Sequence, residues 1–253
     1  MSKVITLATY RSSQLLSGFR KKIPEDSVAF VDSEETQTVF GLSLDHLESF
    51  QAYWNDLDKD PTALDGANHL RRGFGSIQAS SVEGIESVNM VMVDEIERPV
   101  TNIYAAVLRP VTPDFFDHPY MKALATNLCA LFDEIGGRST PSQWRINAYP
   151  SRVHLHEDLV GFPTTHGLQA RDIDFGLSML IRRDNIVGGA TLLSDLAGNL
   201  LVDHIMTTPL EMFLVDGRKT MFATYSVERC DPSRDAYRDT LLLSFTRLPE
   251  AKA

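Results

Sequence analysis

The sequence predicts an α+β chain in which helices come first and an antiparallel jelly roll follows. Three features carry this. Leucines and aromatics recur at helical spacing over residues 43–57 and 117–135, and after Gly137 the texture changes to short apolar runs separated by turn residues. No linker-like stretch divides the two parts. A single domain is therefore expected, residues 1–140 forming helical and strand support and residues 141–253 the jelly-roll core.

Taken in order, the apolar runs Lys3–Thr9 and Ser27–Asp32 read as extended segments, with the basic patch Arg20, Lys21 and Lys22 between them. Ser43 is a suitable N-cap for a helix to Leu57 that puts Leu44, Leu47, Phe50, Tyr53, Trp54 and Leu57 on one face. Asp58–Pro61 breaks it, and Ala63–Arg72 reads as a short second helix before Gly73 and Gly75. Ser87–Glu97 and Asn102–Val111 are rich in strand-forming residues and punctuated by Pro99, Pro110 and Pro113. Asp117–Ile135 is the strongest helix, burying Tyr120, Leu124, Leu128, Leu131 and Phe132 and stopping at Gly136 and Gly137. Seven strands follow at jelly-roll spacing: Trp144–Tyr149, Ile173–Arg182, Ala190–Ser194, Leu200–Ile205, Glu211–Val215, Met221–Ser226 and Thr240–Thr246.

Composition removes several functions. A net charge of −10 with scattered Lys and Arg disfavours a nucleic-acid partner. No apolar stretch approaches the roughly 18 residues of a membrane helix, and the N-terminus lacks signal-peptide character, so no membrane partner and a cytoplasmic location are expected. Cys129 and Cys230 have no partners at metal-ligand spacing and read as free thiols. A homodimer is left open.

From Gly167 onward local features recur in a recognisable order. Asp174–Phe175 is followed by Arg183, Asn185, Gly188 and Gly189 as an Arg-x-Asn-x-x-Gly-Gly turn, then Asp216 and Arg218 in a late turn, then Arg238–Asp239 in a closing strand. Across about residues 144–247 this resembles the iron and 2-oxoglutarate dependent dioxygenases that include bacterial hydroxylases of free amino acids such as isoleucine. The resemblance implies a double-stranded β-helix (cupin-like jelly roll) with flanking helices. It also implies an iron site of two imidazoles and a carboxylate.

Aligned on Asp174, the first histidine position holds Gln169 and the carboxylate position Arg171; aligned on Asp216, the second histidine falls near Met221. An amide, a permanent cation and a soft thioether make a poor ferrous site. The leading expectation is therefore an enzyme on the dioxygenase barrel without the usual triad and with no cofactor assigned. It would act on a small carboxylate or amino acid, with Gln169, Arg171 and His156 as candidate catalytic residues. Arg238 would grip the substrate carboxylate as a bidentate guanidinium, and Arg145 and Met221 would line its pocket. Arg238 could instead pair with Asp235 or Asp239.

Two alternatives remain. An active iron(II) and 2-oxoglutarate hydroxylase would need other ligands, drawn from His154, His156 and Asp158 in the run Arg152–Val160, or from His166 with Asp172 or Asp174. On a strand, His154 and His156 share a face; as a polar loop they carry no chemistry. The third reading is a catalytically silent binding protein. His46, His69, His118 and His204 read as structural.

Overall fold

The computed structural model describes residues 7–63, 69–81, 88–92, 107–137, 142–156, 160–163, 169–170 and 172–249. Five helices are described: α1 (Leu7–Asp26), α2 (Ser33–Phe40), α3 (Leu47–Gln51), α4 (Pro113–Asp117) and α5 (Pro119–Ile135). Asp32 caps α2 in a reciprocal capping box with Glu35, and Gly41 closes it in the left-handed region at φ 67°. None of these helices is long and apolar enough to cross a membrane.

The strands form a jelly roll. An eight-stranded sheet runs β1 (Val28–Val31), β12 (Met212–Asp216), β8 (Phe175–Asp184), β15 (Ala236–Arg247), β5 (Gln143–Leu155), β2 (Leu70–Ser81), β3 (Val88–Met92), with β4 (Arg109–Pro110) parallel to β2. Facing it are a four-stranded sheet, β11 (Leu200–His204), β10 (Thr191–Asp195), β13 (Thr220–Thr224), β7 (Gln169–Ala170), and a three-stranded one, β6 (Val160–Gly161), β14 (Val227–Arg229), β9 (Ile186–Gly188).

Strand alternation divides the large sheet into two apolar faces. Ile146, Ala148, Leu177, Met179, Leu241, Leu243 and Phe245 pack under the helices against Phe50, Leu124, Leu128 and Phe132. On the other face Leu180 and Phe213 meet Leu193 of the four-stranded sheet, while Leu70, Val153, Leu155 and Ala236 meet Ile186 and Val227 of the three-stranded one. This second face is the barrel interior. The Trp54 indole N–H, donating to the carbonyls of Ser151 (3.0 Å) and Thr240 (3.2 Å), ties the helical layer to the first face.

Several sequence expectations change. Residues 7–9 belong to α1 rather than to an extended segment. The helix expected over 43–57 is α3 flanked by 3-10 turns at Leu44–His46 and Ala52–Asp56. Residues 70–72 open β2, because Leu70, Arg71 and Arg72 pair with Val153, Arg152 and Ser151 and this register outweighs a few residues of helix propensity. Strand β5 runs on through Pro150 to Leu155, which puts His154 in the strand and His156 just beyond its end. Pro150 has no N–H to give; there β2 leaves β5, and Gly73 and Phe74 pair with β4. The strand expectations for 93–106 lie outside the described residues.

Candidate functional site: an interior arginine pair and a histidine–aspartate cluster

The recurring motif residues hold the frame around the site. Asp174 accepts the backbone N–H of Arg247 (2.7 Å) and ion-pairs with Arg218, so the early Asp and the late-turn Arg partner each other. Phe175 stacks on Phe132 at 4.2 Å. Asn185, in the left-handed region at φ 54°, donates to the carbonyls of Asp231 (2.9 Å), Arg234 (3.1 Å) and Asp235 (3.3 Å), fixing the loop before β15.

Arg238 lies on the interior face of the large sheet. It is opposite Val153, whose side chain sits among Leu70, Leu155, Ile186 and Val227. Only 3% of it is exposed, its Nε–H has no hydrogen-bond partner, and it has no ion pair among the described residues. Asp239 is taken instead by Arg152 in a buried bidentate pair, both contacts 2.7 Å.

Arg183 is the cross-strand neighbour of Arg238. Simple alternation from Ile181 would turn Arg183 toward the helices. A β-bulge pairs Leu180 with Thr240 and Arg182 with Asp239, leaving Ile181 as the extra residue and bringing Arg183 to the interior face. Arg183 donates to Gly188 O (2.9 Å), and its buried Nη1 has no partner. Gly189, at φ 77°, makes the room: a Cβ there would stand 2.7 Å from Val227 Cγ1 and 3.1 Å from Arg238 Nε. Burial, then the neighbouring Arg183, pushes the Arg238 guanidinium down to about 10, and burial lowers Arg183 as well. A buried cation beside a half-buried one, each with an orphaned N–H donor, forms a place for an anion.

The second cluster is at the end of β5. His154 Nε2 lies 3.1 Å from Asp235 Oδ2 and His156 Nδ1 2.6 Å from Asp235 Oδ1, and the three donor atoms all fall within 4.8 Å of one another. Tyr237 stacks on His154 (4.5 Å) and donates its hydroxyl to Asp235 (3.2 Å), while Arg229 donates to the His156 carbonyl (2.8 Å). Hydrogen bonds from His156, then His154, hold the Asp235 carboxyl down to about 2.

Of the residues expected at the site, the structure brings Arg238 into the interior and His154 together with His156. Met221 is opposite Ala170, while its neighbour Phe222, opposite Gln169, lines the interior with Thr220, Ser178 and Phe213; Met221 therefore faces away. Arg145 is opposite Thr246, eight residues along β5 from Val153, so about 26 Å at 3.3 Å per residue separates it from Arg238. One small ligand cannot bridge them. Arg171, Asp158 and His166 lie outside the described residues. His204 packs against Phe30 (4.7 Å), and His69 accepts the Phe162 N–H (3.0 Å). Arg183 and Asp235 were not singled out as site residues in the sequence. The bulge that turns Arg183 inward has no local signature, although the Arg-x-Asn-x-x-Gly-Gly pattern contains the residue itself.

The sequence profile of the 2OG-Fe dioxygenases matches residues 51–244. The chain belongs to this family. Among solved structures, it superposes on a bsmA homolog from Methylobium petroleophilum with a TM-score of 0.74 at 21% identity, covering 91% of this chain and 92% of that one. For IDO from Bacillus thuringiensis the values are 0.72, 12%, 92% and 100%. For TqaL, an Fe(II)/α-ketoglutarate-dependent dioxygenase, they are 0.71, 16%, 97% and 92%. These likenesses establish the dioxygenase jelly roll. No curated protein matches by sequence.

A 2OG-Fe dioxygenase needs ligands for iron. Two imidazoles and a carboxylate, as in His154, His156 and Asp235, are a suitable donor set for a first-row divalent ion. The expectation of a dioxygenase barrel without an iron-type ligand set is thus not supported. These donors nevertheless sit on the helix-side face of the sheet, since His154 is opposite Tyr237 while Arg238 is opposite Val153. By donor chemistry the cluster fits the metal; by position it does not face the interior where Arg238 lies.

Proposed function

We propose that this dioxygenase-family chain binds and acts on a small carboxylate, a 2-oxo acid or an amino-acid-type metabolite, held inside the barrel by Arg238 with Arg183. One observation carries the reading: Arg238 is a buried cation with an orphaned Nε–H and no carboxylate partner among the described residues. An isolated buried charge costs several kcal/mol, and an anion of the right size recovers part of that cost through charge-assisted, bidentate hydrogen bonds. Gly189 puts no side chain beside the Arg238 Nε, where a Cβ would stand at 3.1 Å.

A melting-temperature screen of 2-oxoglutarate, succinate and amino acids against neutral analogues, run in chelator, tests this. Carboxylates are expected to stabilise the wild-type chain and neutral analogues not. Arg238→Met is expected to match or exceed the wild-type melting temperature without ligand, because it removes an unpaired buried charge, and to lose the ligand-induced shift. Equal stabilisation of both proteins would overturn the reading.

The His154, His156 and Asp235 donors support a second reading, an active iron(II) and 2-oxoglutarate hydroxylase. It requires that anaerobically added iron bind near stoichiometrically and that oxygen then convert 2-oxoglutarate to succinate. Iron binding without succinate formation would leave the first reading alone.

A further inference from the structure

We infer that His154, His156 and Asp235 form a transition-metal site on the outer face of the large sheet, separate from the carboxylate site proposed at Arg238. The inference deepens the proposed function and rests on it only for the second half of that statement.

The separation follows from register. In an antiparallel pair, directly opposed residues share a face and successive residues alternate. Tyr237 opposes His154 and Arg238 opposes Val153, and the pairing from Ala236 to Arg247 runs without a shift. The neighbours agree. Tyr237 stacks on His154 and lies beneath the guanidiniums of Arg152 and Arg182, each 5.1 Å from its centroid, and Arg152 in turn donates to Asn55 of the helical layer (2.9 Å). Arg238 adjoins Gly189 and sits opposite Val153 in the cluster with Val227, on the three-stranded sheet's side. The backbone of the sheet itself lies between the two sites.

The cluster gathers three donor atoms within reach of one ion. Two ligands about 2.1 Å from a shared ion, at tetrahedral or octahedral angles, stand about 3.0–3.4 Å apart. The His154–Asp235 separation of 3.1 Å falls in that range; the His156–Asp235 contact, 2.6 Å, is a hydrogen bond that lengthens by about 0.4 Å when an ion replaces its proton, and all three donor atoms lie within 4.8 Å of one another. Supporting hydrogen bonds hold the donors: the Tyr237 hydroxyl orients the carboxylate, Asn185 fixes the Asp235 carbonyl, and Arg229 fixes that of His156. With His156 68% exposed, an ion can enter from solvent and complete its shell with water. Imidazole-rich sites of this kind take zinc, cobalt or nickel ahead of magnesium or calcium. Bound metal would clasp the end of β5 to the loop that leads into β15.

Equilibrium dialysis of the full-length chain with zinc or cobalt, with and without saturating succinate, tests both halves. One ion per chain is expected, with affinity falling about tenfold or more in His154→Ala and Asp235→Asn. Arg238→Met, and succinate in the wild type, are expected to leave it within twofold. A wild-type chain that takes up no metal, or variants that bind as well as wild type, would overturn the site. A gain of tenfold or more on adding succinate that disappears in Arg238→Met would overturn the separation. Should no carboxylate bind, the proposed function falls by itself, and the ligand-set variants with Arg238→Met still decide the metal site.

Discussion

Arg152 and Asp239 show what the residue scale demands of buried charge. Their bidentate pair is almost fully enclosed, with side-chain exposures of 7% and 0%. Asp239→Asn would strand the guanidinium and cost about 3–5 kcal/mol, a fall of about 10 °C in melting temperature for a chain of this size. The double change Arg152→Met with Asp239→Leu is expected to recover most of it, and calorimetric melting of the three variants reads the difference. Arg238 presents the opposite case, a guanidinium already stranded, which is why its loss is predicted not to destabilise. The two cysteines separate in the same way. Burial, reinforced by Asp133, pushes the Cys129 thiol well up, while Cys230 is exposed. A thiol reagent should modify one cysteine in the native chain and two in denaturant; two reacting at equal rates in the native chain would contradict the packing of α5.

At the scale of elements, α5 depends on a histidine cap. His118 Nδ1 accepts the Tyr120 N–H (3.2 Å), so its proton is on Nε2, which donates to Ser49 Oγ (3.1 Å). Burial and then His46 lower its pKa below the usual 6.5. The unfolded chain therefore takes up this proton first, and stability is lost as pH falls below about 6.5. His118→Asn keeps a capping group without the titration, so its stability should decline less between pH 7 and 5; parallel curves for the two proteins would refute the role. This helix was legible in the sequence because its apolar residues repeat at 3.6, and six of the strands of residues 173–246 were legible because alternation and turn residues bound them. β2 was not, since the residues that read as helix pair with Arg152 and Ser151 of a strand some 80 positions away. Nor was the bulge at Ile181, whose only cause is the register of β8 against β15. The resemblance found Arg238; Arg183 and Asp235 needed the fold.

For the whole molecule, the large sheet acts as a partition. Helices and the His154 cluster occupy one side; Arg238, Arg183 and the two smaller sheets occupy the other. The family match fixes the jelly roll, while the chemistry follows from which side each charged group faces. The most direct test is the spectrum of the chain labelled with 15N-arginine, titrated with 2-oxoglutarate in chelator. One Nε–H resonance, absent from Arg238→Met, is expected to move and saturate as the orphaned donor gains its acceptor, while the Arg152 resonance stays fixed. An Arg238 resonance that does not respond at saturating 2-oxoglutarate or succinate would contradict this.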